Sequence, residues 1–259
     1  QVFANQSIRI TGDLSHLCFE VISILFEKLG DEIKQQLLQI QATDTSEQLR
    51  TVTWLSMRNG GVTWTMELAQ SATHEALKID IYREVLCYTC QIDNTQALQL
   101  LLSAVTSDTL ISLLSTFRLG AKYYSCIQRA ALNGISTFIS MLSQHLPSES
   151  VLPLLLEQCK RDGGRTALHK ACNRKKLEVI ETVIGLVPKE DRFRLIIATD
   201  DDGNTVLHAA VASGDKSCVL ALQMDQLTGE QLYAIMVKEN KDGLRARDLA
   251  KEQKNKQLE

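Results

Sequence analysis

The sequence predicts an all-α fold, a solenoid of stacked helix-turn-helix units with a short third helix added to each. Three observations predict it. The composition favours helices: apolar residues make up 44%, aromatic residues only 5%, and prolines number 3, which suits packing by Leu, Ile, Val and Ala. A pattern of apolar, small and polar residues returns every forty residues or so. Between the returns stand polar turns with Asp-Gly pairs.

The repetition is clearest in "GRTALHKAC" and "GNTVLHAAV", at 164–172 and 203–211. With His169 and His208 as anchors, steps of 41, 41, 39 and 40 residues connect Cys87, Gln128, His169, His208 and Asp248. The flanking columns agree. Leu86, Ile127, Leu168 and Leu207 precede the anchor, and Arg247 occupies the same place in the last cycle. Two residues after it stand Thr89, Ala130, Ala171, Ala210 and Ala250, then Cys90, Ala131, Cys172 and Val211. Small residues there predict a close helix–helix approach. Further on, Ala97-Leu98, Phe138-Ile139, Val179-Ile180 and Cys218-Val219 are followed by Leu101, Leu142, Val183 and Leu222. That spacing marks the buried stripe of a second helix.

The third helix is predicted from "SDTLISLLSTF", "PSESVLPLLLEQ", "PKEDRFRLIIAT" and "TGEQLYAIMVKE". Each opens on Ser, Thr or Pro with an acidic residue, the signals of a helix start. The turns "KRDGGR", "TDDDGN" and "NKDGL" suit positive φ at Gly. Upstream the pattern weakens. "LSMRNGGVTWTMELA" reads as helix, turn and helix, with Trp54 at an anchor place and Trp64 and Leu68 on the second helix. The expected organisation is one array over 1–259: divergent repeats over 1–72, repeats over 73–118, 119–159, 160–199 and 200–239, and a cap over 240–259.

These residues carry a family resemblance. "GRTALHKAC" and "DGNTVLHAAVASGD" are similar to the ankyrin repeat, with its β-turn, Thr-x-Leu-His and paired small residues. The unit here is longer than the usual 33 residues, and the excess coincides with the third helix. The resemblance implies a protein-interaction scaffold without cofactor. It also implies that the histidines are structural, tied to the helix start with Thr166 and Thr205. Gln128, Cys87 and Asp248 in the same slot agree, because a catalytic slot would not tolerate them.

Other candidate chemistry is weak. Cys87-x-x-Cys90 falls on two repeat columns, which explains both thiols as small buried residues. Cys126 and Cys159 have no His-Asp partnership. "ATDDDGN" at 198–204 lacks the ligand spacing of a calcium loop, and "NRKK" at 173–176 reads as a solvated helix end. His16, Cys18 and His74 show neither triad order nor metal spacing, so an enzyme placed before residue 72 is the weaker alternative. No metal is expected. A net charge of -3 argues against nucleic acid as a partner. The 7 cysteines, odd in number and scattered, suit a reducing compartment, cytoplasmic or nuclear. No apolar run is long enough to span a bilayer, so membrane insertion is not expected. The start lacks both a signal peptide and a Met, and the chain is read as a monomeric piece of a longer protein.

The resemblance places partner contacts on the turn tips and on the exposed side of the first helices. The tips are Tyr123, Arg161, Arg165, Asp201, Asn204 and Lys241. The helix side is Tyr88, Gln91, Arg129, Asn133, Lys170, Arg174 and Ser213. Arg129, Lys170 and Arg174 make that side basic, so the expected partner is a protein that presents carboxylates there and basic groups near 200–202. The alternative is a regulatory segment of a larger enzyme, channel or effector, with the chemistry elsewhere.

Overall fold

The computed structural model describes Met57 and residues 61–71, 75–116 and 124–256. Among them lie α1 (Val62–Ser71), α2 (Glu75–Thr89), α3 (Thr95–Ala104) and α4 (Ser107–Thr116). Then follow α5 (Cys126–Asn133), α6 (Ser136–His145), α7 (Ser148–Leu156), α8 (Ala167–Asn173), α9 (Leu177–Leu186) and α10 (Lys189–Ile197). The last are α11 (Val206–Ala212), α12 (Lys216–Ala221), α13 (Gly229–Val237) and α14 (Ala246–Lys256). The chain divides into two compact units between Glu84 and Val85, inside α2. Trp54 lies outside the described residues, while Trp64 and Leu68 fall on α1.

In the unit from Val85 onward, helices recur as first, second and third members of each cycle. Like members pack on like: α5 on α8, α8 on α11 and α11 on α14; α3 on α6, α6 on α9 and α9 on α12; α7 on α10 and α10 on α13. The packing follows the columns of the sequence. Leu86, Ile127, Leu168 and Leu207 are buried, as are Thr89, Ala130, Ala171 and Ala210. Side chains this small let the helices approach. Leu101, Leu142, Val183 and Leu222 are at most 1% exposed, and each Leu or Val so buried stabilises by about 1.5–3 kcal/mol. The columns thin out at the C-terminal end: Val211 and Val219 are half-buried, and Ala250 is exposed. Arg247 is exposed on α14, as the outer face of a terminal repeat requires.

The helix starts are fixed by local hydrogen bonds. Capping boxes join Ser125 to Gln128, Thr166 to His169, Thr205 to His208 and Thr228 to Gln231. The third helices α7 and α10 begin after Pro147 and Pro188, with Glu149 and Glu190 in their first turns, where a negative charge meets the positive end of the dipole. The residue six places after each anchor turns the chain left-handed: Gly134 (φ 88°), Lys175 (φ 55°) and Gly214 (φ 71°). Lysine at this place carries the strain that glycine avoids.

The turns between cycles repeat with the same geometry. Single antiparallel pairings close them at Cys159–Arg165, Thr199–Thr205 and Glu239–Arg245. Inside two of them one side chain organises the loop. Asp200 Oδ1 accepts from the amides of Asp202 (3.0 Å) and Asn204 (2.9 Å), and Asn240 Oδ1 accepts from those of Asp242 and Leu244 (both 3.0 Å). The equivalent Lys160 cannot accept, and Lys160–Asp162 forms a 3-10 turn instead. Successive turns also stack. The Asp201 amide donates to Gly163 O and the Lys241 amide to Asp202 O, both at 2.9 Å. A Cβ on Gly164 would fall 2.9 Å from the Asp201 nitrogen, so this stacking requires glycine.

Candidate protein-binding surface

The two histidines are buried at the seams between cycles. The amide and hydroxyl of Thr166 both face Nδ1 of His169, the hydroxyl at 2.8 Å, and Nε2 lies 3.0 Å from the carbonyl of Asn204 in the next turn. A carbonyl only accepts, so Nε2 carries the hydrogen and Nδ1 is bare. His208 repeats the arrangement with Thr205 and with Leu244 O at 3.1 Å. Burial holds both imidazoles below their usual pKa, although the carbonyls that accept from Nε2 favour the protonated form. Each ring therefore serves as a neutral cross-link. The local tie to threonine follows from the sequence. The reach of 35 and 36 residues to the next turn does not.

Gln128 fills the same slot with an amide. Its Oε1 accepts from the Ser125 amide (3.1 Å), and its Nε2 donates to Glu157 O (2.7 Å) at the end of α7. Cys87, Cys90, Cys126, Cys159, Cys172 and Cys218 are buried thiols, and burial pushes Cys90 and Cys172 above the normal thiol range. Among the described residues no group of His, Cys, Asp or Glu is arranged to hold a metal ion. Asp200 in the "DDD" stretch organises the turn, while Asp201 and Asp202 are exposed.

The expected contact residues divide into three sets. Gln91, Asn133, Arg161, Arg174, Asp201 and Lys241 are exposed. Arg129, Arg165, Asn204 and Ser213 are half-buried. Asn204 joins neighbouring turns by accepting from Asn240 Nδ2 at 2.9 Å, and Arg165 Nε lies 3.7 Å from Asp200 Oδ2. Ser213 bonds to Ala210 O, and Asn133 Nδ2 reaches Cys90 O of the preceding cycle at 3.3 Å. Tyr123 lies outside the described residues. Two expectations are corrected, for Tyr88 is 4% exposed and Lys170 2% exposed, so neither belongs to an exposed surface.

Lys170 shows the reason. Its ammonium lies 2.5 Å from Asp162 Oδ2 and 4.2 Å from the centre of the Tyr124 ring, and the Tyr124 hydroxyl donates to the same carboxylate oxygen (3.1 Å). A buried ammonium is tolerated because the carboxylate and ring replace its water. Burial still lowers its pKa, against the pull of Asp162. The basic side chains on this side thus reduce to Arg129 and Arg174. Charge type alone suggested exposure, and the carboxylate that withdraws Lys170 sits 8 residues earlier, in a turn.

Helices that pack like on like, with turns in register, define a helical repeat solenoid. Residues 126–230 match the family model for ankyrin repeats, in three copies. Over that stretch the chain is similar to ankyrin repeats, and the cycle at 73–118 and the cap at 240–259 lie outside the match. No curated protein matches the sequence. Ankyrin repeats generally mediate protein–protein interaction. No single helix among the described residues is long and apolar enough to cross a membrane.

Proposed function

We propose that this chain is a non-enzymatic interaction module that binds a partner protein on the turn tips and the concave first-helix face of its repeats. The observation that carries this reading is the separation of roles along each cycle. The polar groups at the seams are occupied within the scaffold: His169 and His208 reach the next turn, Asp162 accepts from Tyr124 of the preceding cycle, and Gln128 is tied to the end of its own third helix. The exposed polar residues Asn133, Arg174, Asp201 and Lys241 recur at tips and helix ends of successive cycles. Stacked repeats bury their faces against neighbours and leave a long surface for another macromolecule. The array acts as a scaffold or adaptor, or as the regulatory segment of a larger protein.

Site-specific photo-crosslinking tests this. A crosslinker replaces Asn133, Arg174 or Lys241 on the proposed face, and Lys189 or Lys216 on the third and second helices, all five being exposed. In a cell extract one protein should form adducts through the first set. Adducts confined to Lys189 and Lys216 would move the interface elsewhere and end this reading.

A further inference from the structure

We propose that Arg129 is a carboxylate-binding site on this face, so that the surface selects an acidic segment of its partner; this rests on the interaction-module reading and deepens it. The guanidinium of Arg129 lies over the Tyr124 ring, 4.9 Å from its centre. Its Nε is buried and has no hydrogen-bond partner. Among the described residues no carboxylate lies within ion-pair distance of it. A buried N–H without an acceptor is uncommon, and here it belongs to a cation.

The neighbouring cycle shows the same site complete. Lys170 stands one residue after its anchor, as Arg129 does. It shares the Tyr124 ring, and the chain supplies Asp162 as its carboxylate. Arg129 has the cation and the ring, and no described residue brings a carboxylate to it. The Asp162 oxygen that serves this ring is already bound to Lys170 and to the Tyr124 hydroxyl. A carboxylate from outside completes the arrangement. Arginine suits the task, since its planar fork binds a carboxylate through two parallel hydrogen bonds. Arg174, exposed where α8 ends, adds a second positive charge on the same helix side and extends the preference from one carboxylate to an acidic run. With Lys170 neutralised by Asp162, attraction for that run centres on Arg129.

The test is a fluorescence anisotropy titration of labelled decaglutamate into the 259-residue chain, with decalysine as the sign control. Decaglutamate should bind and decalysine should not. Arg129→Gln should weaken binding by roughly tenfold or more and flatten its salt dependence. Arg129→Lys, which keeps the charge and loses the fork, should fall between. Arg194→Gln, on α10 and paired with Asp191, should leave affinity unchanged. Arg129→Lys also covers the case in which Arg129→Gln fails to fold. Equal affinity in wild type and either Arg129 variant, no decaglutamate binding, or tighter binding of duplex DNA than of decaglutamate would each overturn the proposal. A partner crosslinked at Asn133 or Arg174 with unchanged affinity in Arg129→Gln would sink this proposal and leave the interaction module standing. Decaglutamate bound through Arg129, with adducts only at Lys189 and Lys216, would do the reverse.

Discussion

The cycle at 124–159 and the cycle at 160–199 carry different chemistry at two adjacent positions of one scaffold. The first has Gln128 and Arg129, the second His169 and Lys170. Both anchors close a capping box on the preceding Ser or Thr. The amide of Gln128 stops at Glu157 O, at the end of its own third helix, whereas the imidazole of His169 reaches Asn204 O in the next turn. One slot thus accepts two side chains for the cap, and only the ring fastens one cycle to the next turn. The following position differs in the opposite sense: Lys170 is closed by Asp162 and buried, while the Arg129 guanidinium has no carboxylate among the described residues. The second cycle has its cation neutralised from within. The first leaves its cation without a carboxylate among the described residues, the place where the proposed partner would supply one.

The sharpest break of this comparison is at Asp162. Asp162→Ala strands a buried ammonium and should cost about 3 kcal/mol at pH 7, read from urea denaturation. Arg129→Met removes a cation without an ion pair and should stay within about 1 kcal/mol; equal losses would erase the distinction. Next come the stacked turns. Gly164→Ala combines positive φ with a clash against the Asp201 backbone, while Gly243→Ala has positive φ (74°) and open space. We expect a loss of roughly 2–3 kcal/mol for the first and about 1 kcal/mol for the second, again from urea midpoints. His208→Ala should cost about 1–2 kcal/mol through its lost hydrogen bonds and should raise amide exchange of Lys241 more than that of Asp201.

The same contrast can be read with pH. The folded pKa values of His169 and His208 are lowered from 6.5 by burial, so the unfolded chain takes up protons that the folded chain refuses. Stability is therefore full above pH 6.5 and falls as the pH drops below it. A chain with Thr166→Ser and His169→Gln, which copies Ser125 and Gln128, should lose less over that range in thermal melts. An unchanged slope would show that His169 does not titrate this seam. The smallest effect is a gain. Lys175→Gly places at φ 55° the residue found at Gly134 and Gly214, and should add about 0.5–1 kcal/mol.

The helices and their buried columns were legible because packing at a fixed period leaves a local trace: each of Leu101, Leu142, Val183 and Leu222 is set by neighbours a few residues away. The capping role of His169 was legible for the same reason, since Thr166 stands three residues before it. Its second bond was not, because nothing in "TALHKAC" points to a carbonyl at residue 204. Lys170 was misread as exposed because its burial depends on Tyr124 and Asp162 meeting in space. Tyr88 shows the same limit, an amphipathic side chain whose place on the helix allows burial as readily as exposure. Arg129 could have been singled out only by asking which cation in the column has no acid nearby, a question that needs coordinates.

The link between successive tips runs from amide to carbonyl, Asp201 to Gly163 and Lys241 to Asp202, and so is indifferent to the side chains that point outward there. Apart from the glycines and the turn-organising Asp200, Asn204 and Asn240, those tips can drift or be re-engineered for a new target while the spine stays intact, and recognition can evolve without eroding cohesion.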